Sequence, residues 1–316
     1  MWTLKIEKQW YRSSLTWLTF LLLPLTFIFY CVVKIRRLVY AYGLKKIYKL
    51  PVPVIVVGNI TVGGTGKTPF VISLATYLKE QGYTPGIATR GVGGKQQQAP
   101  RYVDDYALAT DVGDEAILLK KRTQCPVVVG IDRVAAVYEL ISKSNCNIII
   151  SDDGLQHYRL GRDIEIAIVD STRQFGNGYM LPAGPLREPI SRLDKVDFVI
   201  SKMSLLGDML ISLDQTQKIS LATFKNKKIH AVAAIGNPQR FFKSLRDAGL
   251  DIIEHIFPDH YLYQENDLLF SDDAPILMTE KDAVKCLSFD IKNAWYLPVT
   301  TRLDNEFLNQ LRSRLV

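Results

Sequence analysis

The chain has 316 residues, 47% apolar and 22% charged, which suits one large α/β domain or two modest ones and excludes a disordered or collagen-like chain. Its formal net charge of +7 raises nucleic acid or a membrane as partners. Residues 1–50 hold nine Lys/Arg against one acid, Glu7, and the rest of the chain is near neutral, so the charge marks a basic, membrane-facing amino terminus rather than a nucleic-acid surface.

Residues 15–33 (LTWLTFLLLPLTFIFYCVV) run for nineteen positions without a charge, between Trp10, Tyr11 and Arg12 before and Lys34, Arg36 and Arg37 after. That is close to the ~20 residues a helix needs to cross ~30 Å of hydrocarbon, and aromatic and basic flanks suit interfacial anchoring. Pro24 is better tolerated in a membrane helix than in a soluble one. A spanning helix is the leading expectation. A membrane-dipping helix and a helix buried in a soluble core compete with it. More Lys/Arg follow the run than precede it, which puts the body on the cytoplasmic side.

A β-branched strand over 52–57 leads directly into Asn59-Ile60-Thr61-Val62-Gly63-Gly64-Thr65-Gly66-Lys67-Thr68-Pro69 and then a helical pattern over 69–80. Strand, glycine-rich loop, Gly-Lys-Thr and helix form the setting of a phosphate-binding loop. Its backbone N–H groups would cradle phosphates, Lys67 would reach the β/γ oxygens, and the Thr68 hydroxyl would bind Mg²⁺. Thr61 stands where the strict pattern has a glycine.

Further along, Gly113-Asp114-Glu115 before Ala-Ile-Leu-Leu is a helix amino-terminal signal. A strand at 127–129 precedes a helix over 132–142, and the strand at 148–150 ends in Asp152 and Asp153, where a phosphate-loop protein needs a carboxylate for the metal shell. Strands at 164–169 and 196–200 flank a proline- and glycine-bounded loop that carries Arg187 and Glu188. Such loops often present functional side chains. Polar residues 213–228 divide a core domain (41–215) from a smaller carboxy-terminal α/β domain (216–316). The latter has strands at 229–235, 276–278 and 295–299 and a helix over 238–248. Alternation of this kind predicts a mostly parallel sheet flanked by helices. Scattered Cys31, Cys125, Cys146 and Cys286 form no metal-binding pair. Neither a base-reading Asn-Lys-x-Asp nor an LSGGQ-like signature is present, so elimination favours a phosphoryl transferase, with a lipid acceptor suggested by the anchor.

The segments NITVGGTGKTP (59–69), TRG (89–91), VGDEA (112–116), DDGLQHY (152–158), LPAGPLREP (181–189), FPDHY (257–261) and TEKD (279–282) together resemble the tetraacyldisaccharide 4′-kinase family of Gram-negative lipid A biosynthesis. The resemblance covers the whole chain, with the motifs in the family's order; Val92 and Met180 depart from the pattern. It implies a P-loop NTPase-type fold using ATP and Mg²⁺ to phosphorylate the 4′-hydroxyl of an acylated glucosamine disaccharide 1-phosphate at the inner membrane, with no nucleic acid and no obligate protein partner. It implies that Asp114, paired with His260, acts as base, with Lys67 and Arg187 on the transferring phosphate. Thr68, Asp152, Asp153 and Glu188 would serve the metal, and Arg90, Glu115, Gln156 and His157 the acceptor. The TEKD segment could equally cap a helix. The competing reading is a membrane-tethered P-loop ATPase that switches a partner instead of phosphorylating a lipid.

Overall fold

The computed structural model describes residues 9–12, 16–95, 99–201 and 205–315. Its strands are β1 (Val54–Gly58), β2 (Pro85–Thr89), β3 (Arg101–Tyr102), β4 (Val127–Val129), β5 (Ile148–Asp152), β6 (Ile164–Ile168), β7 (Phe198–Ile200), β8 (Leu205–Leu206), β9 (Met209–Ser212), β10 (Lys218–Ser220), β11 (Lys228–Ala233), β12 (Asp251–Ile256), β13 (Ile276–Thr279), β14 (Ala294–Leu297) and β15 (Thr300–Thr301). The helices are α1 (Trp17–Ala41), α2 (Lys67–Glu80), α3 (Ala109–Val112), α4 (Asp114–Thr123), α5 (Arg133–Lys143), α6 (Pro238–Asp247), α7 (Glu280–Cys286) and α8 (Asn305–Leu315).

The first seven strands form one sheet in the order β3-β4-β2-β5-β1-β6-β7, parallel except for edge strand β3. Both faces are covered. Ile55 and Val57 of β1 point into a core shared with α2, α4 and α8, and Val54 and Val56 into one shared with α5; all four are at most 1% exposed. Burial on both faces is why this strand reads as an unbroken apolar run. β2, with the sequence PGIAT, carries no such run and is a strand because both neighbours pair with it.

β9 to β14 make a second sheet, ordered β10-β9-β14-β13-β11-β12. The polar stretch expected to separate two domains folds into the antiparallel hairpin of β9 and β10 along one edge. The second sheet therefore begins at Met209, upstream of residue 215. The chain then crosses back: β15 pairs antiparallel with β8, and α8 packs Phe307 against Phe70 and Phe198, ring centroids 5.7 and 5.0 Å apart. The smaller lobe is thus inserted in the larger, and the two crossings are hydrogen-bonded to each other. The Thr301 amide also donates to the Ser73 hydroxyl of α2 at 3.2 Å.

Helix α1 runs on past the apolar stretch through Lys34, Arg36 and Arg37, with Pro24 inside it; residue 15 lies outside the described residues. It is long and apolar enough to cross a membrane. However, its middle is docked on the body. The Thr26 hydroxyl donates to the Met180 carbonyl (3.3 Å) and accepts from the Ala183 amide (3.0 Å), and Phe29 and Val33 pack on Ile60 and Leu186. Trp10 is held as well, its indole N–H donating to the Pro182 carbonyl at 3.0 Å. The outer stripe of Leu21, Leu25, Ile28, Val32 and Ile35 is exposed.

Candidate active site

After β1 the chain turns through residues 59–66 into α2. Gly63 and Gly66 hold φ of 98° and 87°, a region a glycine enters without strain. Gly66 is the N-cap, so the unpaired N–H groups of the first turn, at Lys67 and Thr68, point out of the helix start. Thr61 needs no positive φ, because it pairs in an antiparallel bridge with Leu186. The Val62 amide donates to Pro185 (2.8 Å) and the Arg187 amide to Ile60 (2.7 Å). The 181–189 segment is thereby stitched along the phosphate loop, and the Asn59 side chain donates to Thr65 Oγ1 (3.2 Å) inside it.

The end of β5 divides the two expected metal carboxylates. Asp153 turns out of the strand with φ 51° and lies between Lys67 (3.4 Å) and Arg187 (3.2 Å). Burial pushes its carboxyl up, but those two cations outweigh it and hold it well below the usual range. Asp152 is 1% exposed; Oδ2 accepts from the Thr89 hydroxyl (3.2 Å), and Oδ1 has no hydrogen-bond partner. Burial, joined by the charge of Glu115, raises Asp152 to about 7. An orphaned carboxylate oxygen here suits a divalent cation. Among the described residues no group of three His, Cys, Asp or Glu could hold a metal by itself, which fits Mg²⁺, an ion usually bound by one or two carboxylates plus phosphates.

Glu188, expected at the metal, is 1% exposed with both oxygens engaged. Oε1 accepts from Gln156 (3.0 Å) and Oε2 from the Tyr158 hydroxyl (2.6 Å), with Arg192 at 3.4 Å. In this arrangement it braces the loop that carries Arg187. Gln156, expected at the acceptor, also donates to the Asn59 carbonyl (3.0 Å) and so ties Glu188 to the base of the phosphate loop. His157 is neutral near pH 7: burial, then the charges of Arg133, Arg36 and Arg90, lower it to about 4. It lines a cavity of about 210 Å³ with Arg36 and Arg159. Arg90 stands at the end of β2, on a cavity of about 290 Å³ walled by glycines 91, 93 and 94.

A contact of long sequence span closes between the lobes. His260 Nδ1 lies 2.9 and 3.2 Å from the two carboxylate oxygens of Asp114, 146 positions away. Asp114 opens α4 and accepts from the Glu115 amide at 2.8 Å. Gly113 before it has φ 88° and backs onto the Val92 carbonyl, so no side chain fits there. His260 itself holds φ 60°, the kind of strained conformation that clusters at functional sites. Burial raises Asp114, but the hydrogen bond from His260 and the charges of Lys281 and Lys285 outweigh it and hold the carboxyl below its usual value. Burial lowers His260, but Asp114 outweighs it and the ring is raised. Lys281 from α7 lies 3.1 Å from Glu115, 3.4 Å from Asp259 and 3.4 Å from His260 Nε2. The bonding assigns the Nδ1–H tautomer, leaving Nε2 as the lone pair. Asp114 is only 2% exposed, against 19% for the His260 side chain, so the ring is the face of the pair that the cleft meets.

Three contributors were given no role by the sequence. Arg133, 1% exposed, sits behind Asp152 and donates to its carbonyl at 3.3 Å; a first-turn arginine on an amphipathic helix reads as surface. Lys281 reads equally well as part of a helix start. Gly236, held by Arg173 (2.8 Å to its carbonyl), brings the second lobe against the phosphate loop so closely that a Cβ on it would lie 2.7 Å from the Gly64 amide nitrogen.

A sheet that ends in a phosphate loop and a buried acid with one free carboxylate oxygen, faced by an Asp–His pair assembled from two lobes, defines a P-loop phosphotransferase. The family model for tetraacyldisaccharide-1-P 4′-kinase matches residues 18–316. The chain is 49% identical to the tetraacyldisaccharide 4′-kinase of Nitrosococcus oceani, over 98% of this chain and 94% of the relative, and 48% identical to that of Coxiella burnetii, over 97% and 94%. It also superposes on a crystal structure of LpxK from Aquifex aeolicus in complex with ATP, with a TM-score of 0.79 and 29% identity over 94% of this chain and 99% of that one. The chain belongs to the tetraacyldisaccharide-1-P 4′-kinase family. The competing reading, a tethered ATPase switch, is not favoured.

Proposed function

We propose that this protein transfers the γ-phosphate of ATP to the 4′-hydroxyl of a tetraacyldisaccharide 1-phosphate at the cytoplasmic face of the inner membrane. The observation that supports this best is the Asp114–His260 contact of 2.9 Å between lobes, on a chain whose phosphate loop abuts the second lobe. The loop amides and Lys67 hold the ATP phosphates, and Thr68 and Asp152 would hold Mg²⁺. An ion held there would supply charge neutralisation for the nucleotide phosphates. Lys67 and Arg187, now paired with Asp153, are the cations that meet the transferring group. The acceptor oxygen bonds to the γ-phosphorus as the bond to the β,γ-bridging oxygen breaks. ADP leaves, and the hydroxyl proton passes to the Asp114–His260 pair. Such a group contributes about 10²- to 10⁴-fold to rate. Arg90, at the cavity beyond the end of β2, and His157, at the cavity beyond β5, face the acceptor.

The lobes act as two domains, residues 41–201 with α8 and residues 209–297, closing on the nucleotide. Because Thr26 is bonded to the body, α1 serves as a membrane-dipping anchor: its exposed stripe enters the bilayer with the body at the surface, near an acceptor that is itself lipid. The Lys/Arg excess after the apolar run sets the cytoplasmic side.

The test is transfer of labelled phosphate from ATP to the acylated disaccharide in detergent, with Lys67→Ala as control. Label in the lipid supports the reading. ATP hydrolysis with an unlabelled acceptor would sink it.

A further inference from the structure

A cavity of about 920 Å³ opens between the carboxy-terminal half of α1, the segment leading into β1 and residues 189–195. Four of its lining cations, Lys34, Arg37, Lys49 and Lys195, make no ion pair among the described residues. Lys34 reaches only over the Tyr30 ring, at 5.8 Å. The lining acids are mostly spent. Glu165 takes Arg162 (2.8 Å) and Arg192 (2.5 Å), whereas Asp163, which caps the Val54 amide (2.7 Å), and Asp194 make no ion pair among the described residues. The walls between the cations are apolar, from Val33, Leu38, Ile47, Leu50 and Leu160. Four cations without an ion pair against two such acids, over an apolar floor, match an anionic head with a greasy body. The volume lies at the upper end of small-ligand sites, about 300–1,000 Å³.

Its place in the fold separates it from the nucleotide. Lys49 and Leu50 precede β1, and Asp163 precedes β6, whereas the phosphate loop follows β1. The two sites lie at opposite ends of parallel strands of five residues, or roughly 16 Å. Along α1, Lys34 and Arg37 stand at the level where the exposed apolar stripe ends with Val32 and Ile35, on the other face of the helix. Basic residues at the end of a membrane-embedded stretch sit at headgroup depth.

We propose that this cavity binds an anionic diacyl glycerophospholipid, its phosphate held by Arg37, Lys49 and Lys195 and its chains lying along the apolar wall of Val33, Leu38 and Ile47. The inference rests on reading α1 as a bilayer anchor. The lipid is a resident of the membrane and not the acceptor. It braces a wall shared with the site, because Arg192 lines the cavity and pairs with both Glu165 and Glu188.

The full-length protein in neutral detergent is titrated with dihexanoyl phosphatidylglycerol, dihexanoyl phosphatidylcholine and inorganic phosphate, with bound lipid read by native mass spectrometry and by the shift in Tm. The expected result is at least tenfold tighter binding of phosphatidylglycerol than of phosphatidylcholine, with no Tm shift from phosphate. The triple variant Arg37→Gln/Lys49→Gln/Lys195→Gln should lose at least tenfold in phosphatidylglycerol affinity, as each surface cation is worth about fivefold, with ATP affinity and basal transfer kept. Single Lys195→Glu, at an exposed position, repeats the test if the triple variant folds poorly. Equal binding of the two lipids overturns the proposal. So does a phosphate effect equal to that of phosphatidylglycerol, and so does competition between phosphatidylglycerol and the acceptor disaccharide. Flotation with vesicles tests the anchor separately: a protein that fails to float yet keeps the lipid preference in detergent leaves the cavity assignment standing and removes only the anchor.

Discussion

Replacing Lys281 with methionine should move the pH profile of the reaction to higher pH while leaving the chemistry intact. The ammonium lies 3.4 Å from His260 Nε2. At that distance, with an effective dielectric of about 20, two unit charges interact by about 5 kcal/mol, an upper bound of about 3.5 pK units on what Lys281 does to the ring. Glu115 and Asp259 neutralise part of that charge while Lys281 is present. Once it is gone, they add to the pull of Asp114 on a proton. All the changes have one sign: His260 protonates more readily, and the lone pair that receives the hydroxyl proton is blocked to a higher pH. A shift of about 1–2 units in the acid limb of kcat is expected, so that turnover at pH 7 falls roughly tenfold or more and is recovered near pH 9. Initial rates of labelled-phosphate transfer from pH 5.5 to 9.5 with saturating ATP supply the profile, and Lys281→Arg should restore its position. A uniform drop in rate with an unmoved limb would refute the reasoning, because it would make Lys281 a structural tie between lobes and nothing more.

Asp114→Asn and His260→Gln should each cost about 10²- to 10⁴-fold in kcat, and the double variant should be little worse than either, as for residues acting as a unit; additive losses would separate them. Asp152→Asn should raise the Mg²⁺ concentration needed for half-maximal turnover yet raise the Tm of metal-free protein at pH 8. Its carboxyl is raised to about 7 in the fold against an ordinary 3.8, so the stability tied to its proton is complete below pH 3.8 and lost as pH rises through 7. Asp153 and Asp114 have the opposite sign, both being held below 3.8: their stabilisation is present above that pH and lost below it, so acid unfolding followed by circular dichroism should set in under about pH 4. Gly236→Val should raise KM for ATP with kcat less affected, since its Cβ would press on the Gly64 amide 2.7 Å away; unchanged nucleotide affinity by calorimetry would show that the two loops part without cost.

The phosphate loop was legible because every residue that makes it is local: strand, turn and helix start lie within residues 54–68, and only the exception at Thr61 has a distant cause, its bridge to Leu186. The Asp114–His260 pair was not readable from local pattern, since each residue alone passes for a cap or a turn. Only the family resemblance joined them. Glu188 and Gln156 sit within the motifs that drew attention, but a motif gives proximity without partners, and the structure spends both on Tyr158, Arg192 and Asn59. Strand β2 and the hairpin of β9 and β10 escaped notice because glycine, proline and polar side chains hide a strand whose burial is supplied by its neighbours. For α1, hydropathy measured length but said nothing of Thr26, whose two hydrogen bonds to the body decide how the helix lies.

The two crossings between lobes have a mechanical meaning. A lobe attached by one strand of chain can swivel freely; one attached by two, bonded into the ribbon of β8 and β15, keeps rotation about that ribbon as its inexpensive movement. The ribbon is fastened through Thr301 to Ser73, in the middle of the helix that begins at the phosphate loop. On the proposed closure of the two domains, nucleotide gripped at the start of α2 would therefore stiffen the mounting of the axle about which the lobe carrying His260 would move relative to Asp114. Occupancy of one substrate site would be felt as alignment at the other, even though the two lobes make their chemistry from opposite sides of a gap. Slower amide exchange at 300–301 on adding ATP is the expected sign of that coupling.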